Sequence, residues 1–208
     1  FAQAGAGGLS ASLFSHTIGS PPIAAVGSEA LKQRVLPAVL AGEAISALAI
    51  TEPGGGSDVA RLRTTARREG GDYVLSGEKT FITSGLRADF YTVAVRTGGP
   101  GAAGVSLVLV ERDRPGFTRA PLAKMGWWCS DTATLRFDGV RVPAANLIGE
   151  ENHGFKYIML NFNSERLGMA AGAVGFAQAC LEDALAWARE RETFGQRLIE
   201  HQVIRHKL

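Results

Sequence analysis

Apolar and polar positions change period twice along this chain, which divides it into three zones. Residues 1–45 are alanine-rich and read as helix. Within them Ser28-Glu29-Ala30-Leu31-Lys32-Gln33-Arg34-Val35-Leu36 sets a serine cap and an acidic first turn ahead of apolar residues at helical spacing. Pro21-Pro22 marks a break upstream. From Ser46 to about Val142 the period shortens to that of strands. Residues 47–51, 90–95, 105–110 and 134–142 are predicted strands, and residues 73–83 are predicted as two strands joined at Ser76-Gly77. With no helical stretches between them, these strands predict an antiparallel barrel or sandwich and argue against a doubly wound nucleotide fold. From about His153 to Arg191 the pattern is helical again, with Phe155, Ile158, Phe162, Met169, Ala173, Ala177, Leu181, Leu185 and Ala188 at steps of three, four or seven. Gly195 is predicted to end that helix, and residues 200–208 to begin another.

The fold class is therefore α+β: a helical segment over 1–45, a middle antiparallel β-barrel or sandwich over 46–150, and helices again over 151–208. The chain begins at Phe1 with nothing shaped like a secretory leader, and stops at Leu208 inside a helical pattern. It reads as a piece of a longer protein, truncated at both ends.

Composition narrows the function without naming it. Of 208 residues 46% are hydrophobic and 20% charged, which excludes wholesale disorder. No apolar run reaches the roughly 18 residues of a membrane-spanning helix. Net charge is +2, with 22 basic and 20 acidic residues and no basic stripe, so nucleic acid is a poor partner and an anionic small molecule a better one. Cys129 and Cys180 cannot build a disulfide framework, and His16, His153, His201 and His206 lack metal-ligand spacing, so no metal site is expected.

Two features could carry chemistry. In Leu48-Ala49-Ile50-Thr51-Glu52-Pro53-Gly54-Gly55-Gly56-Ser57-Asp58 a strand feeds a turn of three glycines between the hydroxyls of Thr51 and Ser57. Such a turn either cradles an anion with its N–H groups or is only a turn, and it matches neither a P-loop nor a dinucleotide fingerprint. The second feature is Glu165, three residues after Phe162 and four before Met169, hence on the apolar face of the long helix. A carboxylate there is partly desolvated, its pKa is raised, and it suits a general base; the alternative is a glutamate paired with an arginine or turned to solvent. Gly168, Gly172 and Gly175 interrupt the same helix and allow close approach of either a second helix or a ligand.

The glycine turn resembles the flavin-binding signature of the acyl-CoA dehydrogenase family, Thr-Glu-Pro followed by a glycine step and Ser-Asp. Phe81-Ile82-Thr83 resembles the family's second flavin segment, and Lys124-Met125-Gly126 with Ser130-Asp131-Thr132 its following loop. Arg189-Glu190-Arg191-Glu192-Thr193-Phe194-Gly195 and His201-Gln202 resemble its C-terminal signature. Ser164-Glu165-Arg166-Leu167 and His206-Lys207-Leu208 are most similar to the long-chain members. These motifs keep the family's order across essentially the whole chain.

The resemblance implies the end of an N-terminal helical domain over 1–45, a middle β-domain over 46–150 and the start of a C-terminal helical bundle over 151–208, in a tetrameric FAD enzyme. Such an enzyme removes the α-proton of an acyl-CoA thioester, passes the β-hydride to flavin and releases a trans-2-enoyl-CoA. Electrons would leave to an electron-transferring flavoprotein. It implies Glu165 as catalytic base, as in long-chain and isovaleryl-type members; the alternative is a glutamate on a later loop, where most members carry it, beyond Leu208. FAD would be held by Leu48, Ile50, Thr51, Gly56 and Ser57, by Phe81, Ile82 and Thr83, and across a subunit interface by Arg191, Phe194 and Gln202. Phe81 stands where many relatives have tryptophan. Ser57, Asn163 and Arg166 would touch the CoA part of the substrate, with Asn163 in place of a common aspartate. Trp127-Trp128 departs from the family, either reshaping the acyl entrance or, as the favoured reading, packing between sheet and helices.

Competing functions are an acyl-CoA oxidase-type flavoenzyme on the same fold and a non-catalytic FAD- or CoA-binding subunit of a hetero-oligomer. A nucleic-acid-binding relative would need a basic surface that the sequence lacks. The unpaired cysteines and the Ala, Gly and Arg content point to a bacterial cytoplasm, with the mitochondrial matrix as the alternative.

Overall fold

Ser28 caps the helix that the sequence places after it: its Oγ accepts from the Leu31 N–H at 3.2 Å, and α3 (Glu29–Leu40) follows. This is seen in a computed structural model that describes residues 7–208; the part of the helical zone falling on residues 1–6 lies outside the described residues. Leu31, Val35 and Val39, one per turn, form the buried stripe of α3. Ahead of it stand α1 (Gly7–Phe14) and α2 (Ser20–Val26). Pro21 and Pro22 do not break the chain; they open α2, because the first helical turn leaves its N–H groups without intrahelical partners and loses nothing to proline.

Seven strands form one open, curled sheet: β1 (Ser46–Ala49), β2 (Thr65–Glu69), β3 (Asp72–Thr83), β4 (Phe90–Arg96), β5 (Val105–Glu111), β6 (Phe117–Pro121) and β7 (Thr132–Pro143). The order is β1-β4-β2-β3-β7-β6, with β5 on the other side of β4. The sheet is mixed rather than wholly antiparallel, since β1 and β2 both run parallel to β4. Those parallel pairs are possible because about forty residues, including the β2–β3 hairpin, separate β1 from β4. Residues 73–83 are a single strand: Ser76-Gly77 is a bulge against β7, with Gly77 at φ 147° where a Cβ would lie 2.7 Å from Thr64 Cα. The reversal lies instead at Gly70-Gly71, between the paired residues Glu69 and Asp72. β2 and β6 escape the sequence pattern because each buries one residue only, Ala66 and Phe117.

Both faces of β4 and β5 are covered, which is why they read as unbroken apolar runs. Tyr91, Val93, Val95, Val108 and Val110 face one core with β3 and β7. Ala94, Val105, Leu107 and Leu109 face a second core made with α2, α3 and the start of α4 (Gly154–Glu190). In the first core Phe117 stacks on Phe137 with ring centroids 4.9 Å apart. Asn146, fully buried, joins the layers: it accepts from Arg34 Nη2 at 2.6 Å and donates to the Leu109 carbonyl at 2.9 Å.

α4 is 37 residues, about 55 Å at 1.5 Å per residue. Its buried residues, Gly154, Ile158 and Ala188, lie near its two ends. Ile158 is buried in the second core with Phe155 and Phe162 beside it, and Ala188 is buried near the far end. There the chain turns through β8 (Glu192–Thr193), β9 (Gln196–Arg197) and α5 (Gln202–Arg205). Gly195, at φ 77°, serves the β8–β9 turn rather than the helix end, which is already at Glu190. Of the predicted C-terminal helical region the chain thus contains α4 and α5. No helix among the described residues is long and apolar enough to cross a membrane.

Gly154 sets how closely α4 meets β5. A Cβ there would lie 2.6 Å from the Ser106 carbonyl carbon, so Gly154→Ala must push the helix off the sheet. The expected loss is about 1–3 kcal/mol, read as a lower urea midpoint at unchanged m-value. Glu111 supplies a second check. Burial alone would raise its pKa, but hydrogen bonds from Arg114 and Asn146 bring it below the ordinary value. Its stabilising contribution is therefore complete above the ordinary glutamate range and lost as pH falls through the lowered folded value. Glu111→Gln should flatten the acid side of a thermal-midpoint profile measured between about pH 3 and 6.

Candidate functional site

The glycine turn is closed by its own main chain. The Glu52 N–H donates to the Gly55 carbonyl at 3.1 Å and the Gly55 N–H to the Glu52 carbonyl at 3.0 Å. Residues 53–58 are exposed, and nothing lies within 4 Å of where a Cβ would stand on Gly54 or Gly55. At Gly56 a Cβ would sit 3.2 Å from Thr51 Cγ2, so the turn folds back tightly on the half-buried Thr51. The Thr80 N–H donates to the Thr51 carbonyl at 2.9 Å and fastens the turn to a second bulge in β3.

At that bulge Phe81 takes φ 58°, an uncommon backbone for an aromatic residue, and leaves its ring 63% exposed. Thr83 follows, half-buried, and then Ser84, whose N–H donates to the Asp131 carbonyl at 3.1 Å. Thr51, Gly56, Ser57, Phe81 and Thr83 are thereby brought to one end of the sheet. Leu48 in β1, Ile50 just after it and Ile82 in β3 pack their side chains in the two cores, so main chain is what they offer a ligand.

Beneath the turn lies a buried ion pair. Lys79 is wholly inaccessible, and its Nζ donates to Glu52 Oε1 at 2.8 Å and to the Ile50 carbonyl at 3.0 Å. Glu52 also accepts from the Arg63 N–H at 2.6 Å and the Thr64 N–H at 2.9 Å. Burial pushes the Lys79 ammonium down to about 8, against the pull of the Glu52 charge. Burial alone would raise Glu52, but Lys79 and the two N–H donors outweigh it and hold the carboxylate below its ordinary value. Sequence reasoning missed this pair as a unit. Its one local signal is a lysine in the inward register of a strand whose neighbours Thr80 and Ile82 are buried.

The loop from Lys124 to Asp131 borders the same region. Lys124 Nζ donates to the Trp127 carbonyl at 3.0 Å and also to that of Ser130, while Asp131 accepts from the Leu86 N–H at 2.7 Å and Arg87 Nε at 2.6 Å. Thus anchored, the loop presents Met125, Trp127 and Trp128, the last 77% exposed. Packing between sheet and helices, the favoured reading for the two indoles, does not describe Trp128 in this chain. Trp127 does meet a neighbour: its backbone lies against Gly8 of α1, where a Cβ would stand 3.3 Å from Trp127 Cα.

Glu165 lies on α4, half-buried, with Oε1 accepting from Asn161 Nδ2 at 2.7 Å. Burial raises its pKa above the ordinary glutamate value, opposed by the Asn161 hydrogen bond. No arginine pairs with it among the described residues. Asn163 and Arg166 are exposed on the same stretch, and the Arg166 guanidinium sits 5.6 Å from the centroid of the Phe162 ring. Among the described residues nothing lies within 4 Å of where a Cβ would stand on Gly168 or Gly172. Arg191, Phe194 and Gln202 are exposed beyond the far end of α4, with Arg191 roughly 39 Å along the axis from Glu165. The fold does not bring them to the glycine turn within one copy. Among the described residues no three His, Cys, Asp or Glu side chains are grouped to hold a metal.

Comparison with known proteins gives this arrangement a family. Residues 47–140 match the acyl-CoA dehydrogenase middle domain, and residues 152–208 match the acyl-CoA dehydrogenase C-terminal domain. An acyl-CoA dehydrogenase of Emericella nidulans is 43% identical over 100% of this chain and 48% of its own length. The long-chain specific mitochondrial enzyme of Rattus norvegicus is 41% identical over 90% of this chain and 45% of its own length. The crystal structure of a probable acyl-CoA dehydrogenase from Mycobacterium abscessus superposes with a TM-score of 0.93 at 58% identity, covering 97% of this chain and 54% of that one. The chain spans about half the length of these relatives. With two consecutive domain matches in order and relatives aligned along its whole length, the chain belongs to the acyl-CoA dehydrogenase family.

Proposed function

We propose that the full-length protein oxidises an acyl-CoA thioester to a trans-2-enoyl-CoA with FAD, and that Glu165 is the base. The observation that carries this reading is a half-buried carboxylate with a raised pKa and one recorded hydrogen bond, on a helix docked to the sheet that bears the glycine turn. Membership of the family supplies the reaction class. Relatives called long-chain specific and isovaleryl-CoA dehydrogenase, at 41% and 39% identity, are of the two kinds whose base the resemblance puts at this position.

The residues fit FAD. Phe81 spends backbone strain to expose a flat apolar ring, Thr51 and Thr83 bring hydroxyls beside it, and the glycine turn presents open main chain. Leu48, Ile50, Gly56, Ser57 and Ile82 would contribute main-chain contacts. Bound FAD would supply the two-electron acceptor for the β-hydride. Glu165 takes the α-proton onto its carboxylate; partial burial makes it a stronger base than an exposed glutamate. Arg166 and Asn163, exposed one turn or less from Glu165, would meet the CoA portion together with Ser57.

The length of α4 supports an assembly of copies. Arg191, Phe194 and Gln202 are too far from Glu165 to serve the same flavin, so they would hold the cofactor of a neighbouring subunit in a homotetramer, Arg191 through its pyrophosphate. An electron-transferring flavoprotein would be the acceptor, and a bacterial cytoplasm the setting.

The test is the visible spectrum of the full-length protein under anaerobic titration with a long-chain acyl-CoA. A flavin band that bleaches is expected; a flavin band unmoved by long, short and branched thioesters would overturn the reaction. Glu165→Gln should keep the flavin band but lower kcat/KM by about 10²–10⁴-fold and stop α-proton exchange with solvent. Near-normal turnover in that variant would place the base elsewhere. Because the base must be ionised and its pKa is raised, kcat/KM in the parent should fall on acidification at a pH above the ordinary glutamate value, and this limb should vanish in Glu165→Gln.

A further inference from the structure

Apart from the Ile50 carbonyl, which Lys79 holds from beneath, Lys79 and Glu52 touch none of the groups proposed for flavin or thioester, yet they are the most buried charges in the molecule's described part, at 0% and 9% side-chain exposure. Stability does not account for such a pair, since an apolar replacement of similar volume is often as stable or more so. What the pair does geometrically is grip both neighbours of one residue. Lys79 Nζ holds the carbonyl of Ile50 and the side chain of Glu52, the residues on either side of Thr51. Glu52 in turn holds the Arg63 and Thr64 N–H groups at the entry to β2, and Thr80, next to Lys79, holds the Thr51 carbonyl. Three segments distant in sequence therefore converge on Thr51, and the exposed glycines begin three residues after it.

We propose that Lys79 and Glu52 are positioning residues for the flavin turn. This role rests on the flavin reading of that turn, and it is a specific one. The pair fixes the Thr51 main chain and the first glycines in their binding geometry before the cofactor arrives. The turn then loses little conformational freedom on binding, and affinity is gained through preorganisation rather than through a contact of the pair with FAD. A single change would leave the surviving charge buried and unpaired, which costs stability in its own right. Removing both charges together separates the two effects.

The experiment uses the full-length protein as wild type, Lys79→Met, Glu52→Gln and the double variant Lys79→Met/Glu52→Gln. Each is stripped of flavin, and two quantities are read: the thermal midpoint of the apoprotein, and the Kd for added FAD from quenching of its fluorescence. Both single variants should melt lower than wild type. The double variant should recover a midpoint near wild type yet bind FAD at least about tenfold more weakly, because no group then holds the Ile50 carbonyl and the Glu52 side chain together. Wild-type FAD affinity in a double variant of wild-type stability would overturn the proposal and reduce the pair to a packing element. If the double variant does not fold, Glu52→Asp decides: it keeps the charge but withdraws it from the Arg63 and Thr64 N–H groups. FAD binding weakened several-fold supports the positioning role, and unchanged binding overturns it. A wild-type protein that binds no FAD would overturn the flavin reading itself, an outcome distinct from unaltered binding in the variants.

Discussion

An ammonium and a carboxylate buried together must satisfy each other or neither can stay ionised, and that requirement fixes much of this fold's working end. Lys79 comes from β3 and Glu52 from the turn after β1, strands that the sheet order separates. Their contact at 2.8 Å, with the Arg63 and Thr64 N–H groups on the same carboxylate, draws β1, the entry to β2 and β3 to one point. The bulges in β3 follow the same logic. A regular strand could not both send Lys79 inward and expose Phe81 at a positive φ. Strain and buried charge, each unfavourable alone, are tolerated where the surrounding sheet over-determines them.

The long helix obeys a different constraint. α4 is fastened to the sheet at its first turns, through Gly154 against β5 and Ile158 in the second core, and most of its middle residues are exposed or half-buried. Leu160, Leu167, Val174 and Leu181, seven residues apart, are exposed along it. An apolar stripe of that kind is what a helix carries when further elements lie alongside it, and the relatives extend to about twice the length of this chain. Rigid attachment at one end and length at the other let one helix carry Glu165 near the sheet and Arg191 roughly 39 Å away.

Legibility from sequence tracked how local each determinant is. Ser28, three residues before the N–H it caps, and the apolar spacing of α3 and α4 are encoded within a turn or two and were readable as such. β4 and β5 were readable because they are buried on both faces. β2 and β6 were not, since a five-residue strand burying one side chain has no period to detect. Ser76-Gly77 and Gly195 show the ambiguity of glycine: the same residue type signals a turn, a helix end or a bulge, and the partner strand decides among them. Pro21-Pro22 was likewise compatible with a break or with a helix start. The parallel pairing of β1 and β2 with β4 left no trace in any one strand.

The site divides along the same line. The order of motifs, the helical face that Glu165 shares with Phe162, and the flexibility of three successive glycines are properties of the chain itself and were available before folding. The partial burial that raises the Glu165 pKa, the exposure of Phe81 and Trp128, and above all the pairing of Lys79 with Glu52 arise from contacts between residues far apart in sequence. Residue type and spacing determine what each side chain can do and which neighbours within a few residues it meets. Which charge is desolvated, and which partner compensates it, depends on the solvent excluded by distant segments, and only the tertiary structure decides that.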